Sequence, residues 1–186
     1  MRDPTFTELE TERLRLRRFR ARDVAAFHAY RADPAVARFQ SWQDYSHEQA
    51  EAFVAGMARA DPGVVGEPFQ IAVARLADDE LVGDCMLALD ASDPPVAEVG
   101  YTIAPAHQGR GYAVEAVKAV FDLAFTRYGA GSVRAVTDTR NVASIAVAER
   151  LGMSLVGTVR TTFKRQPCDE HTYELARSEW GTRRGA

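Results

Sequence analysis

The chain has 186 residues, 46% hydrophobic and 26% charged, with a formal net charge of -3. This length suits one well-buried domain spanning residues 1–186. The composition argues against a disordered chain, and the slight acidic excess argues against a nucleic-acid partner, whose phosphates demand many basic side chains. No apolar run is long enough to span a bilayer, and the N-terminal sequence lacks the apolar core of a signal peptide. We therefore expect a cytoplasmic protein with no membrane partner.

Cysteines and histidines are too few and too scattered to indicate a disulfide framework or a metal site. The chain has two cysteines and four histidines, and none of them shows the paired spacing of zinc ligands. We expect Cys85 and Cys168 to be free thiols and the protein to bind no metal.

Residue periodicity predicts the first elements. Arg13–Phe19 alternates leucine with arginine, which predicts a half-buried strand whose arginines face solvent. Two short helices are predicted at Asp23–Tyr30 and Pro34–Phe39, the second with proline in its first turn. Ser46 and Gln49 have the spacing of a capping box, which predicts the start of a third helix.

The apolar pattern then changes to alternation. Strands are predicted at Phe69–Val73, Leu81–Leu89 and Val96–Ile103, joined by short loops that favour an antiparallel meander. An apolar stripe from Val114 to Tyr128 predicts a long helix. The remaining predicted elements are a strand at Ser132–Thr137, a helix at Val142–Leu151 and strands at Ser154–Val159 and Glu170–Leu175. This order predicts the α+β class, with a mixed sheet flanked by helices.

A glycine-punctuated turn precedes the long helix. Gly109 and Gly111 let the backbone curl without a Cβ in the way, and the N–H groups of such a turn point together at the positive end of the helix dipole. The side chains of Gln108 and Arg110 add possible donors. Such turns also arise for packing reasons, but this one predicts an anion-binding site.

Two common phosphate-binding motifs do not fit this turn. A P-loop needs Gly-Lys-Ser/Thr, whereas Tyr112 and Ala113 follow Gly111. A dinucleotide fingerprint needs a third glycine or alanine where Val114 stands, and it follows the first strand of a parallel unit. We exclude both motifs.

The segment Gln108–Ala113 (QGRGYA), preceded by the strand Val96–Ile103, resembles the acetyl-CoA site of the GNAT superfamily of N-acetyltransferases. A second match, Asn141-x-x-Ser144 followed by Glu149–Met153 (ERLGM), is similar to the branch that includes the ribosomal-protein acetyltransferases RimJ and RimL. With Thr11–Arg17 near the start, the resemblance spans nearly the whole chain. It implies a GNAT-like, mostly antiparallel sheet and acetyl-CoA as cosubstrate.

The resemblance also implies which residues bind the cofactor. In the family, the backbone amides of the turn hold the pyrophosphate of CoA, and the edge of the preceding strand pairs with the pantetheine arm. The cofactor-binding residues implied in this chain are Ile103, Gln108, Gly109, Arg110, Gly111, Tyr112, Ala113 and Asn141.

The resemblance implies two catalytic residues for direct acetyl transfer to an amine within a ternary complex. Glu98 is the implied base for the substrate ammonium, acting through water, although it also fits a solvated strand carboxylate. Ser144 is the implied acid or positioning group at the CoA sulfur, although it also fits a serine that bonds locally in a first helical turn. Ala148 occupies the position where many GNAT enzymes outside this branch have a catalytic tyrosine.

The amine acceptor is left open by the sequence. A peptide N-terminus is favoured by the resemblance, and an aminoglycoside, a polyamine or another small metabolite amine are the alternatives. A non-catalytic acyl-CoA-binding module is the competing class of function, because it would keep the glycine turn without using Glu98 or Ser144. A homodimer is possible.

Overall fold

Eight strands form the sheet at the centre of the computed structural model, which describes residues 3–183 and the side chains of residues 3–181. They are β1 (Glu8–Glu10), β2 (Leu14–Arg17), β3 (Phe69–Arg75), β4 (Leu81–Leu89), β5 (Val96–Ile103), β6 (Ser132–Asp138), β7 (Ser154–Phe163) and β8 (Gln166–Ala176). Their order is β1-β2-β3-β4-β5-β6-β8-β7, and neighbours pair antiparallel except β5 and β6, which are parallel. The predicted α+β class with a mixed, mostly antiparallel sheet is confirmed.

Helices cover both faces of this sheet. They are α1 (Val24–Arg31), α2 (Pro34–Ala37), α3 (His47–Met57), α4 (Tyr112–Thr126), α5 (Val142–Arg150) and α6 (Arg177–Arg183). The apolar stripe of α4 is buried in the main core, whereas Phe27 of α1 and Val54 of α3 belong to a second cluster. The predicted capping box at the start of α3 is confirmed, because Ser46 and Gln49 bond each other's backbone N–H groups. Within residues 3–183, no helix has the length and apolarity that crossing a membrane requires.

The prediction that the arginines of the first strand face solvent is wrong for Arg17. This side chain is 1% exposed, and its guanidinium bonds Asp23 at 2.7 and 3.0 Å and Asp79 at 2.9 Å. Two carboxylates offset the cost of removing the charge from water. Alternation identified the strand, but it did not reveal that Asp23, after the strand, and Asp79, in the turn between β3 and β4, converge on Arg17.

The β7–β8 hairpin is longer than predicted. The predicted strands stopped at Val159 and began again at Glu170, whereas the ladder continues to Phe163 paired with Gln166. Lys164 and Arg165 close the hairpin with φ of 49° and 63°. Two-residue turns of this kind are usually marked by Asn-Gly, and that signal is absent from the sequence. The short β1 and the C-terminal α6 were not predicted.

β5 and β6 separate after a short parallel contact. They pair only where Val96–Glu98 faces Ser132–Arg134. Beyond that point β5 continues beside β4 to Ile103, while β6 continues beside β8 to Asp138. The sheet is therefore split, and the facing edges of the two strands are left without a strand neighbour.

Candidate active site

The split between β5 and β6 holds a cavity of about 590 Å³, a volume in the range of ligand sites. Its cradle end consists of the turn before α4 and the first turns of α4 and α5. Its hairpin end consists of Ala35–Gln40 and, from the β7–β8 hairpin, Phe163 and Glu170. All the predicted site residues except Glu98 and Arg110 line this cavity. The cavity thus joins the glycine turn to the opposite face of the sheet.

The cradle end presents free backbone donors. Gly109 and Gly111 have φ of 73° and 80°, the left-handed conformation that glycine adopts most easily. Within the described chain, the N–H groups of residues 109–114 donate to no protein acceptor. Such a row of N–H groups at a helix N-terminus favours an anion. The fold therefore provides the donors that the glycine spacing predicted.

Contacts from the N-terminal segment hold this turn in place. Glu115, in the first turn of α4, accepts hydrogen bonds from the Thr11 hydroxyl at 2.6 Å and from the Arg13 backbone and side chain at 2.8 and 2.7 Å. Burial raises the pKa of Glu115, but these hydrogen bonds and the Arg13 charge outweigh burial and lower it overall. Arg13 also donates to the Arg110 carbonyl at 3.0 Å. The cradle is therefore anchored to the start of β2.

The side chains of Gln108 and Arg110 each bond a backbone carbonyl near the turn. The Gln108 amide donates to the Ile103 carbonyl at 2.9 Å, which ties the turn to the end of β5. The Arg110 guanidinium donates to the Ala106 carbonyl at 3.1 Å, and the residue is exposed. Each of these bonds uses one donor of a group that has several, so the expectation of extra side-chain donors stays a prediction.

Ser144 lies in the cavity wall with a partner that the sequence did not indicate. Asn141 caps α5, since its Oδ1 accepts the Ser144 backbone N–H at 3.3 Å. The Tyr101 hydroxyl, from β5, donates to Ser144 Oγ at 3.1 Å. Burial raises the pKa of Tyr101 to about 12, although the bond to Ser144 lowers it in part. Alternation along β5 predicts the face that Tyr101 occupies, but its contact with α5 depends on tertiary packing.

The basic and acidic side chains that line the cavity lie on different elements. Among the lining residues, the basic side chains are His107 and Arg150, which belong to the turn before α4 and to α5. The acidic ones are Asp138 and Glu170, which are cross-strand neighbours on β6 and β8. Hydrogen bonds from Arg140 lower the pKa of Asp138 and neutralise its charge.

Glu170 and Glu98 are placed differently. No described residue forms a hydrogen bond or an ion pair with the Glu170 side chain, so its charge faces the hairpin end of the cavity unneutralised. Glu98 is exposed, beside Arg134 where β5 and β6 still pair, and it does not line the cavity. The structure therefore does not bring the two predicted catalytic residues, Glu98 and Ser144, together in the cavity.

The hairpin end is held by Lys164. Its Nζ donates to the carbonyls of Ala37 at 2.7 Å and Trp42 at 2.6 Å. These bonds join the tip of the β7–β8 hairpin to the segment that carries α2. Trp42 does not line the cavity; its ring lies 3.6 Å from the Arg31 guanidinium carbon, and its Nε1 donates to the Arg31 carbonyl at 3.0 Å.

Comparison with known proteins identifies one family. A family model described as an acetyltransferase (GNAT) domain matches residues 13–154. The chain is 35% identical over 156 residues to the uncharacterized protein YkkB of Bacillus subtilis (strain 168), which covers 83% of this chain and 89% of that protein.

Solved structures share the fold. A GNAT-family acetyltransferase from Bacillus anthracis superposes with a TM-score of 0.83 at 23% identity, over 93% of this chain and all of that one. RimL, described as a ribosomal L7/L12 alpha-N-protein acetyltransferase, superposes with a TM-score of 0.76 at 19% identity, over 95% of this chain and 99% of that one. At these identities the likeness demonstrates a common fold.

Proposed function

Because the chain belongs to the GNAT family of acetyltransferases, we propose that it transfers the acetyl group of acetyl-CoA to a primary amine. The observation that carries this proposal is the cavity itself, which runs from free backbone N–H groups through the split sheet to an unneutralised carboxylate. The N–H groups suit the CoA pyrophosphate, and the carboxylate suits an ammonium. We place the transfer in the split between them.

The cofactor is assigned to the cradle end. The backbone N–H groups of Gly109–Ala113 would hold the pyrophosphate, and the free edge of β5 near Ile103 would pair with the pantetheine arm. Gln108 and Arg110 would support the turn through the carbonyls they bond. Asn141 would orient the start of α5 beside the thioester.

Direct transfer fits the placement of the thiols. Neither Cys85 nor Cys168 lines the cavity, and burial raises the pKa of each thiol, so neither is a thiolate nucleophile at neutral pH. The amine would attack the thioester itself after losing a proton to a carboxylate. Glu98 remains the base implied by the resemblance, and Glu170 is the alternative favoured by its position in the cavity.

The acceptor proposed first is a protein N-terminal amine, within a RimJ/RimL-like branch of the family. Glu170 supports a cationic acceptor but does not distinguish a peptide from an aminoglycoside, a polyamine or another small amine. We further propose that residues 1–186 form one acetyltransferase domain. A homodimer and a cytoplasmic location remain predictions.

Calorimetric titration with acetyl-CoA tests the cofactor assignment, with NADH as the control ligand. Gly111→Val should weaken acetyl-CoA binding at least tenfold, because a branched side chain resists the left-handed backbone and its Cβ would lie 3.4 Å from Arg13 Nη2, whose side chain holds the turn. Gly129→Val is the matched control: Gly129 has φ of 70° beyond the other end of α4 and does not line the cavity. Gly111→Val and Gly129→Val should each lose about 1–2 kcal/mol of stability, but Gly129→Val should keep its affinity for acetyl-CoA.

Two outcomes would overturn parts of this proposal. No binding of acetyl-CoA to a folded sample free of copurified CoA would remove the cofactor, and equal binding by both glycine variants would remove the cradle. Binding without acetylation of any amine in a panel of peptides, aminoglycosides and polyamines would instead indicate the non-catalytic acyl-CoA-binding module.

A further inference from the structure

Tyr101 and Ser144 form a hydrogen-bonded pair that crosses from the sheet to a helix at the cavity wall. Tyr101 extends from β5, and its hydroxyl lies 3.1 Å from Ser144 Oγ in the first turn of α5. Both residues line the cavity. Asn141 holds the Ser144 backbone from the other side, so the serine is fixed through both its main chain and its hydroxyl.

The direction of this hydrogen bond determines what the serine hydroxyl can do. A hydroxyl has one hydrogen to donate and two lone pairs that accept. The Tyr101 hydroxyl lies 3.1 Å from Ser144 Oγ and 3.4 Å from the Ser144 carbonyl oxygen, and its single hydrogen serves one of them. When the phenol donates to the nearer Oγ, the serine accepts there and its own hydrogen is left for another acceptor. The Tyr101 ring is surrounded largely by apolar side chains, including Val99, Val117 and Phe121. Ser144 is therefore the side-chain partner that orients the phenol.

We propose that Tyr101 is a positioning residue that keeps the Ser144 hydroxyl directed into the cavity as a hydrogen-bond donor to the thioester sulfur. This inference rests on the proposed function, because the sulfur belongs to acetyl-CoA. It adds to that function a residue of β5 that the sequence motifs did not single out.

The pair is suited to stabilising a thiolate by hydrogen bonding rather than by giving up a proton. When the amine nitrogen forms its bond to the carbonyl carbon, the carbon–sulfur bond breaks and its electron pair goes to sulfur. An ordinary thiol has a pKa of about 8.5, whereas the pKa of Tyr101 is about 12. A proton would therefore stay on the hydroxyl pair, while a hydrogen bond to the charged sulfur still stabilises it. The amine proton leaves separately to a carboxylate or water.

Binding of free CoA tests the proposed hydrogen bond to sulfur without any amine substrate. A donor aimed at the sulfur favours the thiolate, so it lowers the pKa of the bound thiol and makes CoA bind more tightly as pH rises through that range. In calorimetry from pH 7 to pH 9.5, we expect wild-type affinity for CoA to rise about tenfold relative to S-methyl-CoA, which has no thiol proton. Tyr101→Phe and Ser144→Ala should each abolish this rise, measured as the ratio of the affinities for CoA at pH 9.5 and pH 7.

Tyr173→Phe is the matched control. Tyr173 is buried on the same face of the sheet and borders the same small apolar space as Tyr101, but no described group hydrogen-bonds its hydroxyl. This variant should keep the pH-dependent rise. Thermal melting of all variants checks that each one is folded.

Kinetics supply a second readout. With an amine acceptor from the panel, Tyr101→Phe should lower kcat about tenfold without changing KM for acetyl-CoA, and it should cost nothing more in a Ser144→Ala background. The positioning role would be overturned if the losses in kcat from Tyr101→Phe and Ser144→Ala were additive. It would also be overturned if the affinity of Tyr101→Phe for CoA still rose with pH. Failure of wild type to bind either CoA or acetyl-CoA would overturn the proposed function as well, so the two failures are distinguishable.

Discussion

At the scale of single residues, two glutamates compete for one role. Glu98 and Glu170 project from the same face of the sheet, but Glu170 lines the cavity and Glu98 does not. Glu170→Gln should therefore lower kcat/KM for the amine at least tenfold, because it removes the carboxylate that faces the acceptor. Glu98→Gln is the matched change and should lower it less than about threefold. Steady-state kinetics at saturating acetyl-CoA would measure both.

A larger loss of kcat/KM for Glu98→Gln than for Glu170→Gln would restore Glu98 as the base, acting through water. Equal, small effects would mean that neither carboxylate takes the ammonium proton. A change in KM for acetyl-CoA in either variant would instead indicate a disturbance of the cradle end, to which neither residue belongs.

At the scale of elements, one lysine links α2 to the β7–β8 hairpin across the cavity. Lys164→Met keeps the aliphatic stem but removes two hydrogen bonds to carbonyls of the α2 segment. We expect faster amide hydrogen exchange in residues 34–42 and a KM for the acceptor that rises about three- to tenfold, because this segment walls the hairpin end. The measurement is hydrogen exchange followed by mass spectrometry.

Lys118→Met provides the control for this element. Lys118 is exposed on α4 and does not line the cavity, so its replacement should leave both exchange and KM unchanged. Unaltered exchange in residues 34–42 of the Lys164 variant would show that the segment is held by its packing alone.

At the scale of the whole molecule, an ion pair joins the N-terminal segment to the end of α4. Hydrogen bonds from Arg127 hold the pKa of Asp3 at about 2, well below its ordinary value of 3.8. A carboxylate whose pKa is depressed by folding stabilises the protein above its unfolded pKa, and this contribution is lost as pH falls from about 4 to about 2. Asp3→Asn should lower the free energy of unfolding by about 1 kcal/mol at pH 7 and by only a small part of that at pH 2, where most of this contribution is lost.

Denaturant unfolding at both pH values would measure this difference. Glu67→Gln is the control, since Glu67 is exposed and its side chain has no ion pair with any described residue. A loss for Asp3→Asn as large at pH 2 as at pH 7 would assign the stabilisation to hydrogen-bond geometry rather than to charge.

Local spacing determined the parts of this protein that depend on neighbours in the chain. The glycine turn, the Asn141 cap of α5 and the apolar stripe of α4 were predicted because each is set by residues within one or two helical turns. The apolar runs of β4 and β5 predicted the bounds of both strands, although the first five residues of β4 are all buried. Most of the fold and the cradle end of the site follow from such signals.

Tertiary structure alone decided which of these pieces meet. The bond from Tyr101 to Ser144 joins residues 43 positions apart, and the positions of Glu98 and Glu170 depend on where β5 and β6 stop pairing. Arg17 is buried because Asp23 and Asp79 converge on it from outside its strand. Periodicity gives the face of a side chain but neither the register nor the divergence of strands, because those are set by packing over the whole sheet.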